Sequence, residues 1–212
     1  TLMASRGFER PARLPLFPLH TVLFPTVTLP IHVFEPRYKE MVGRCLEHDE
    51  PFGVVLILEG EEVGGPNIPR RIGTEAGIIA SQRYPDGRYD IVVEGRRRFA
   101  IRSLDRGRSY LRADVEWLEE PIGAEADDLA RAVAKLLEGI LEALEARGHA
   151  IVDETWGEMD PRMLSYRVAS TLPGANDIRQ ELLEIPDVAA RLRREAQLLM
   201  SIHRIGADAG AA

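Results

Sequence analysis

The chain has 212 residues, 45% of them hydrophobic and 29% charged, and its formal net charge is −7 at pH 7. This is the composition of an ordinary globular protein with enough apolar material for a core. The charge is unevenly spread: residues 1–118 carry 17 basic and 16 acidic side chains, and residues 119–212 carry 10 basic and 18 acidic ones. The shift predicts two lobes, and the acidic second lobe argues against extensive wrapping of nucleic acid.

Features of the whole chain also bear on its location. No apolar run approaches the roughly 20 residues that cross a bilayer. The first residues lack the apolar segment of a signal peptide. The single cysteine, Cys45, excludes an internal disulfide and is compatible with a reducing compartment. We therefore expect a cytoplasmic protein without a membrane partner.

The segment 14–41 is apolar but contains five prolines. Because proline cannot donate to a sheet ladder, the segment predicts short edge strands and extended crossings. Pro36 suits the first position of a helix, and apolar residues spaced by three and four predict a helix at about 36–48. We expect Arg37 to reach across to backbone or to a carboxylate and so tie this segment to the sheet.

The rest of the chain up to residue 119 is predicted to be rich in strands. Residues 51–60 form one apolar run, whereas 59–71 has the glycine, proline and charge of a loop. Two glycines in 72–84 indicate a bulge, and Asp86-Gly87 between two patterned segments predicts a tight hairpin. Five or six short strands with one helix favour a small barrel or rolled sheet.

The second lobe is predicted to be a bundle of four helices. The first has an apolar stripe on one face between residues 129 and 144. Asp160 before Pro161 is a candidate N-cap, Asp177 to Gln180 has the form of a capping box, and a last helix is expected from Asp187. We expect the final residues, 207–212, to be disordered.

The segments LPLFPL, VLFP and LPIHVFEPRY, all within residues 14–38, resemble the opening of the Lon substrate-binding domain family. The resemblance continues in order through FGVVLI, IGTEAGII and PDGRYDIVVEGRRRFAI and covers about residues 13–200. It implies a mixed α+β fold in which a PUA-like β-barrel lobe, 12–119, precedes a helical bundle lobe, 120–206. It also implies binding of unfolded or hydrophobic polypeptide, by a stand-alone member without the ATPase and protease domains that could work with a separate ATPase or protease.

Residue patterns for catalysis are missing. ATP use needs a G-x-x-x-x-G-K-[ST] loop, which the sequence does not contain. A Ser-Lys protease needs a lysine of lowered pKa, and both lysines, Lys39 and Lys135, are expected on solvated faces. Cys45 and His48 lie three residues apart, but a buried thiol beside a solvated imidazole is favoured over a reactive pair. We expect no enzymatic activity, no cofactor and no metal site.

A protein that recognises unfolded chain needs exposed apolar surface or an unpaired strand edge. The proline-interrupted stretch 22–30 is predicted to offer both, although its residues could equally be core. The sequence therefore suggests a polypeptide-binding site whose candidate residues are Phe24, Pro25, Val27, Arg37, Tyr38 and Arg98.

The arginines between Arg96 and Arg112 support an alternative, an RNA-binding module of the PUA-like type. Arginines would pair with phosphates while Phe99 or Tyr110 stacks on a base. The competing interpretation is that these arginines point outward from half-buried strands and pair with nearby carboxylates. We favour the latter because acidic residues are as numerous there as basic ones.

Overall fold

The computed structural model describes residues 13–65, 67–148 and 155–209. The chain divides into two compact units. The first comprises the described residues up to Leu23 together with those of Thr28–Leu118, and the second comprises Phe24–Val27 together with the described residues from Glu119 onward. The four-residue segment Phe24–Val27 thus departs from the predicted division, which placed all of 12–119 in the first lobe.

In the described residues, the first unit is built on one sheet of seven strands and one helix. The prediction of five or six short strands was wrong, because β5 and β6 run for 12 and 17 residues and a further strand lies within the predicted loop 59–71. The elements are β1 (Arg13–Leu19), β2 (Thr28–Val33), α1 (Pro36–His48), β3 (Phe52–Gly60), β4 (Asn67–Pro69), β5 (Ile72–Arg83), β6 (Tyr89–Asp105) and β7 (Arg112–Trp117).

The sheet closes on itself. Its strand order is β1-β7-β6-β5-β3, and β1 also pairs with β3 in parallel, which joins the two ends of the series. Strand β2 is added to β6, and β4 is added to β3. Closure needs backbones to approach closely in the interior: Gly53 and Gly73 both lie under the ring of Phe99, where an added Cβ would sit 2.6 and 2.9 Å from it.

The long hairpin of β5 and β6 carries the predicted turn and bulges. Tyr84 donates its backbone N–H to the carbonyl of Arg88 at 2.9 Å, and Gly87 has the positive φ of 83° that a tight turn requires. The pairing slips between Thr74 and Ala76, and again between Ile78 and Ala80. Both slips are β-bulges, which bend a strand and increase its twist.

Helix α1 begins with Pro36, as predicted, and buries one face. Tyr38, Met41, Val42 and Cys45 belong to the larger of two apolar clusters in this unit. Asp49 ends the helix in the left-handed conformation with φ 53°. The three- and four-residue spacing of the buried side chains is what holds α1 against the sheet.

The second unit contains the four predicted helices, in which α5 packs against α2 and α3. Asp160 caps α3 as predicted, accepting from the backbone N–H groups of Arg162 and Met163. The capping box at Asp177 was wrong, because α4 begins at Asn176 and its N-cap, Ala175, has no capping side chain. The elements are α2 (Ala126–Glu145), a 3-10 turn (Trp156–Glu158), α3 (Pro161–Thr171), α4 (Asn176–Glu184) and α5 (Val188–Ala209).

Helix α5 continues through Ala209, the disorder predicted for 207–212 stays a prediction, and 210–212 lie outside the described residues. In the part of the chain that the structure describes, no helix has the length and apolar character needed to span a membrane. The fold is thus a mixed α and β one, with a sheet part followed by a helical part.

Candidate functional site

The segment Phe24–Val27 forms a turn in which Val27 donates its backbone N–H to the carbonyl of Phe24 at 3.2 Å. The side chain of Phe24 is completely buried, with its ring centroid 6.1 Å from that of Tyr166. Pro25 is also buried, and Val27 is half-buried. Of the two alternatives that the sequence left open, Phe24 and Pro25 are core residues, because the apolar turn is used for packing.

Thr26, at the tip of this turn, is strained. Its φ is 64°, a left-handed conformation that is unusual for a β-branched residue. Its hydroxyl is buried and makes no hydrogen bond to any described residue. Strain of this kind costs about 1–3 kcal/mol and tends to occur where a segment has a function besides packing.

Arg37 holds the loop between β3 and β4 against the start of α1. Its Nη1 and Nη2 donate to the carbonyls of Gly65 at 3.3 Å and Glu62 at 3.2 Å. Its Nε donates to Glu35 at 3.1 Å, and the same carboxylate accepts the backbone N–H of Gly64 at 3.2 Å. The predicted fork of Arg37 onto backbone and carboxylate is thus present, and its guanidinium is partly occupied with structural contacts.

Tyr38 and Arg98 are almost fully buried. Tyr38 stacks on Phe17 with a centroid distance of 4.2 Å, and burial, opposed by the nearby Arg37 charge, raises the pKa of its hydroxyl. These two side chains therefore support the first unit from inside. Of the six candidate residues, only Val27 and Arg37 are partly accessible, and polypeptide binding by these residues stays a prediction.

Three arginines of the basic strands are paired with carboxylates. Arg97 pairs with Glu75 at 3.0 Å while its guanidinium lies 3.5 Å from the ring centroid of Trp117. Ion pairs also join Arg102 to Glu116 and Arg112 to Asp105. Phe99 and Tyr110, the residues expected to stack on a base, are buried. The surface chemistry that the RNA-binding alternative requires is therefore weak here.

Cys45 and His48 do not form a reactive pair. Burial raises the pKa of the Cys45 thiol to about 12, whereas His48 is exposed and its Nδ1 lies 3.0 Å from the carbonyl of Arg44. Among the described residues, no group of three or more His, Cys, Asp or Glu side chains could hold a metal ion. A thiol of such a high pKa remains protonated at neutral pH and is a poor nucleophile.

Sequence reasoning missed an exposed strand edge of the first unit. Beyond Ala76, β5 pairs only with β6, and its residues 79–83 are all exposed. Ile79, in the second bulge, has 56% of its surface exposed. A concave surface, which encloses a volume of about 640 Å³, lies next to this part of β5 and is formed by strands β2, β5 and β6. The sequence signal was the loss of apolar alternation after Ile79, which marks a strand with no buried face.

It also missed a polar cluster inside the second unit. The fully buried Arg191 contacts Glu120 at 2.7 Å through Nη2 and donates from Nε to Ser165 at 2.7 Å. Its guanidinium lies 3.9 Å from the ring centroid of Tyr166. Glu195 accepts from Ser165 at 2.8 Å, and burial raises the pKa of its carboxyl well above the usual range. Each of these side chains has a charged or polar partner, as buried charges require.

The sequence of the chain matches a family model and several known proteins. The model for the ATP-dependent protease La (LON) substrate-binding domain matches residues 13–201. The Lon protease of Escherichia coli (strain K12) is 27% identical over 190 residues, covering 87% of this chain and 24% of that protein. The Lon protease of Syntrophus aciditrophicus is 25% identical, covering 89% of this chain and 25% of that protein. The chain thus spans about a quarter of the length of these relatives.

Solved structures give the same result. The crystal structure of a Lon N-terminal domain protein from Xanthomonas campestris is 30% identical, with a TM-score of 0.62 and coverage of 86% of this chain and 96% of that one. The N-terminal domain of the Mycobacterium avium complex Lon protease is 22% identical, with a TM-score of 0.71 and coverage of 89% and 98%. The second likeness is one of fold.

Proposed function

The chain belongs to the ATP-dependent protease La (LON) substrate-binding domain family, and from that membership we propose that it binds unfolded or hydrophobic polypeptide without catalysing a reaction. The observation that carries the proposal is the match of the family model across residues 13–201, which includes both compact units. Delivery of the bound chain to an ATPase or protease, in the same assembly or a separate one, is part of the proposal.

The distribution of exposed apolar side chains supports a protein-binding role. Soluble proteins tolerate exposed apolar residues that are scattered singly, whereas apolar residues gathered at one place favour an interaction surface. On the first unit, Ile79 is 56% exposed on β5, and the exposed Phe34 stacks on His32, which lines the concave surface on β2, β5 and β6.

We keep Val27, in the second unit, and Arg37, in the first, as two separate candidate contacts for bound polypeptide. Val27 is the partly accessible end of the strained turn, and Arg37 can add a hydrogen bond to a backbone carbonyl of the bound chain while keeping its loop contacts. Phe24, Pro25, Tyr38 and Arg98 then act indirectly, by holding the two segments in place. This assignment keeps the two accessible residues of the predicted site and gives the four buried ones a positioning role.

The test is fluorescence anisotropy of a labelled unfolded polypeptide, reduced and carboxymethylated lactalbumin, at physiological salt. We expect saturable binding that Val27→Asp weakens, because a carboxylate is costly in an apolar contact. Leu104→Asp, at an exposed residue near the end of β6, is the matched control and should bind like the unmodified protein. Absence of binding by the unmodified protein would contradict the proposal, and salt-sensitive binding of a structured RNA instead would favour the RNA alternative.

A further inference from the structure

The distal part of β5 is an unprotected strand edge. Strand β3 pairs with β5 only as far as Ala76, so residues 77–83 have β6 on one side and no partner strand among the described residues on the other. Residues 79–83 are exposed on both faces of the strand. A strand edge of this kind presents a row of backbone donors and acceptors to any other extended chain.

The hairpin geometry identifies which backbone groups face outward. Tyr84 donates its N–H toward β6, to the carbonyl of Arg88. Since backbone groups alternate in direction along a strand, those of Gln82 also face β6, whereas those of Ser81 and Arg83 face the open edge. Two N–H groups and two carbonyls, about 7 Å apart along the strand, are thus available for pairing.

The region formed by β2, β6 and β5 has a second edge, on β2, and that edge is protected against pairing. Strand β2 has Pro30 at its middle, which removes one donor. Proline and charged side chains are common devices that block edge pairing, and residues 77–82 contain neither, the charged residue Arg83 standing at the end of the strand. The side chains at positions 77, 80 and 81 are also small, so they leave room for a neighbouring backbone.

The region that carries the edge is held in place by side chains. His32 on β2 and Asp90 on β6 lie 2.5 Å apart, and Tyr84 donates its hydroxyl to the second oxygen of the same carboxylate at 2.5 Å. These contacts join β2 and β6 to the end of the hairpin. A segment that pairs with β5 therefore meets an edge that is already formed, which lowers the entropic cost of binding.

We propose that an extended, uncharged segment of client polypeptide binds by adding a strand to the open edge of β5 at residues 79–83, through the backbone groups of Ser81 and Arg83. This inference rests on the proposed function and specifies the chemistry that it recognises. Backbone pairing supplies affinity independent of sequence, and exposed Ile79 with the concave surface beside it favours apolar side chains in the bound segment.

A client segment fits this edge better than a second copy of the chain does. Self-pairing through five residues would bury far less than the roughly 1,200 Å² of a stable interface. A flexible segment, in contrast, can pair with the edge and also extend over the concave surface formed by Pro30, Ala80 and Val92. Unfolded polypeptide is rich in such segments because its backbone groups are hydrogen-bonded to water and not to other parts of the chain.

The decisive variant is Ser81→Pro, with Ser81→Ala as its matched control. Proline removes one outward N–H while sparing the bonds to β6, whereas alanine removes only the hydroxyl. With labelled, reduced and carboxymethylated lactalbumin as the probe, we expect Ser81→Pro to weaken binding at least tenfold and Ser81→Ala to change it less than twofold. Thermal unfolding followed by circular dichroism establishes that both variants fold.

A second pair covers the case in which the proline variant fails to fold. Ile79→Lys places a charge at the edge of β5 without altering the backbone. The matched control, Leu58→Lys, places the same charge at a comparably exposed residue of β3. We expect the first to weaken binding at least fivefold and the second to leave it unchanged.

The outcomes separate this inference from the proposed function. Equal polypeptide binding by the unmodified protein and by a folded edge variant, Ser81→Pro or Ile79→Lys, would overturn the proposal of binding at the edge of β5 and would not affect the proposed function. No binding by the unmodified protein would overturn both. A dimer in sedimentation velocity that Ser81→Pro dissociates, with polypeptide binding unchanged, would assign the edge to a second copy and overturn the inference.

Discussion

Replacement of Arg191 by methionine is expected to destabilise the second unit by about 3 kcal/mol, at the low end of the roughly 3–5 kcal/mol lost when one member of a buried ion pair is removed. Methionine approximates the length of the side chain but supplies no charge and no donors. It leaves Glu120 without a contact of 2.7 Å and Ser165 without a donor to its oxygen. The low end applies because Glu120 retains Arg162, whose Nε lies 2.9 Å away.

The two tryptophans make the measurement specific to one unit. Trp156 lies in the second unit and is buried, whereas Trp117 lies in the first. In a Trp117→Phe background, urea titration followed by fluorescence therefore reports unfolding around Trp156. We expect Arg191→Met to lower the urea midpoint, with a change in free energy of unfolding of about 3 kcal/mol.

The control for this experiment lies three residues along the same helix. Arg194 is paired with Glu181 at 2.7 Å but is exposed, so Arg194→Met should cost at most about 1 kcal/mol. A loss below about 1 kcal/mol for Arg191→Met would refute the reasoning, since it would mean that the largely buried carboxylate of Glu120 needs no cation from Arg191. A loss from Arg194→Met as large as that from Arg191→Met would refute it too, because burial would then not decide the cost.

Two further predictions concern close packing and pH. Gly73→Ala should destabilise the first unit by at least about 2 kcal/mol, measured by Trp117 fluorescence, because the added Cβ would sit 2.5 Å from the carbonyl oxygen of Val54. Gly139→Ala, in open space on α2, should instead stabilise the second unit by about 0.5–1 kcal/mol. A similar loss of stability from both substitutions would contradict the packing argument. Burial raises the pKa of Glu195, so the folded state keeps a proton that the unfolded state releases as pH rises above the unfolded value of about 4.3. The unmodified protein should therefore lose stability relative to Glu195→Gln as pH rises from 4 to 8, and melting temperatures that diverge in the opposite direction would show that the carboxyl is ionised when folded.

Local elements were predictable where the deciding interactions lie within a few residues. Pro36 and the apolar spacing behind it specify the start and buried face of α1. Asp86-Gly87 specifies the hairpin turn, since only a short connection with positive φ joins strands so tightly. The Asp160 cap depends on N–H groups two and three residues away. The capping box at Asp177 failed because neighbouring residues allowed an earlier start, at Asn176, without a side-chain cap.

The candidate site was predictable only in part. The spacing of Glu35, Pro36 and Arg37 indicated that the arginine would bind backbone across the chain, and it does so at Glu62 and Gly65. The accessibility of Phe24 could not be read from the sequence, because an apolar turn looks the same whether it meets solvent or another ring. Its partner, Tyr166, lies 142 residues away along the chain.

By itself, the sequence determined the class of fold, the order of its elements and the resemblance to a substrate-binding family, because these follow from short-range patterns and their order along the chain. Only the tertiary structure decided which strands pair and which charges become buried. Closure of the sheet depends on β1 meeting β3, and the open edge of β5 exists because β3 leaves it at Ala76. Arg191 appears in the sequence as one more arginine of a polar helix, and it becomes the centre of a buried cluster only when α3, α5 and the segment holding Glu120 pack together.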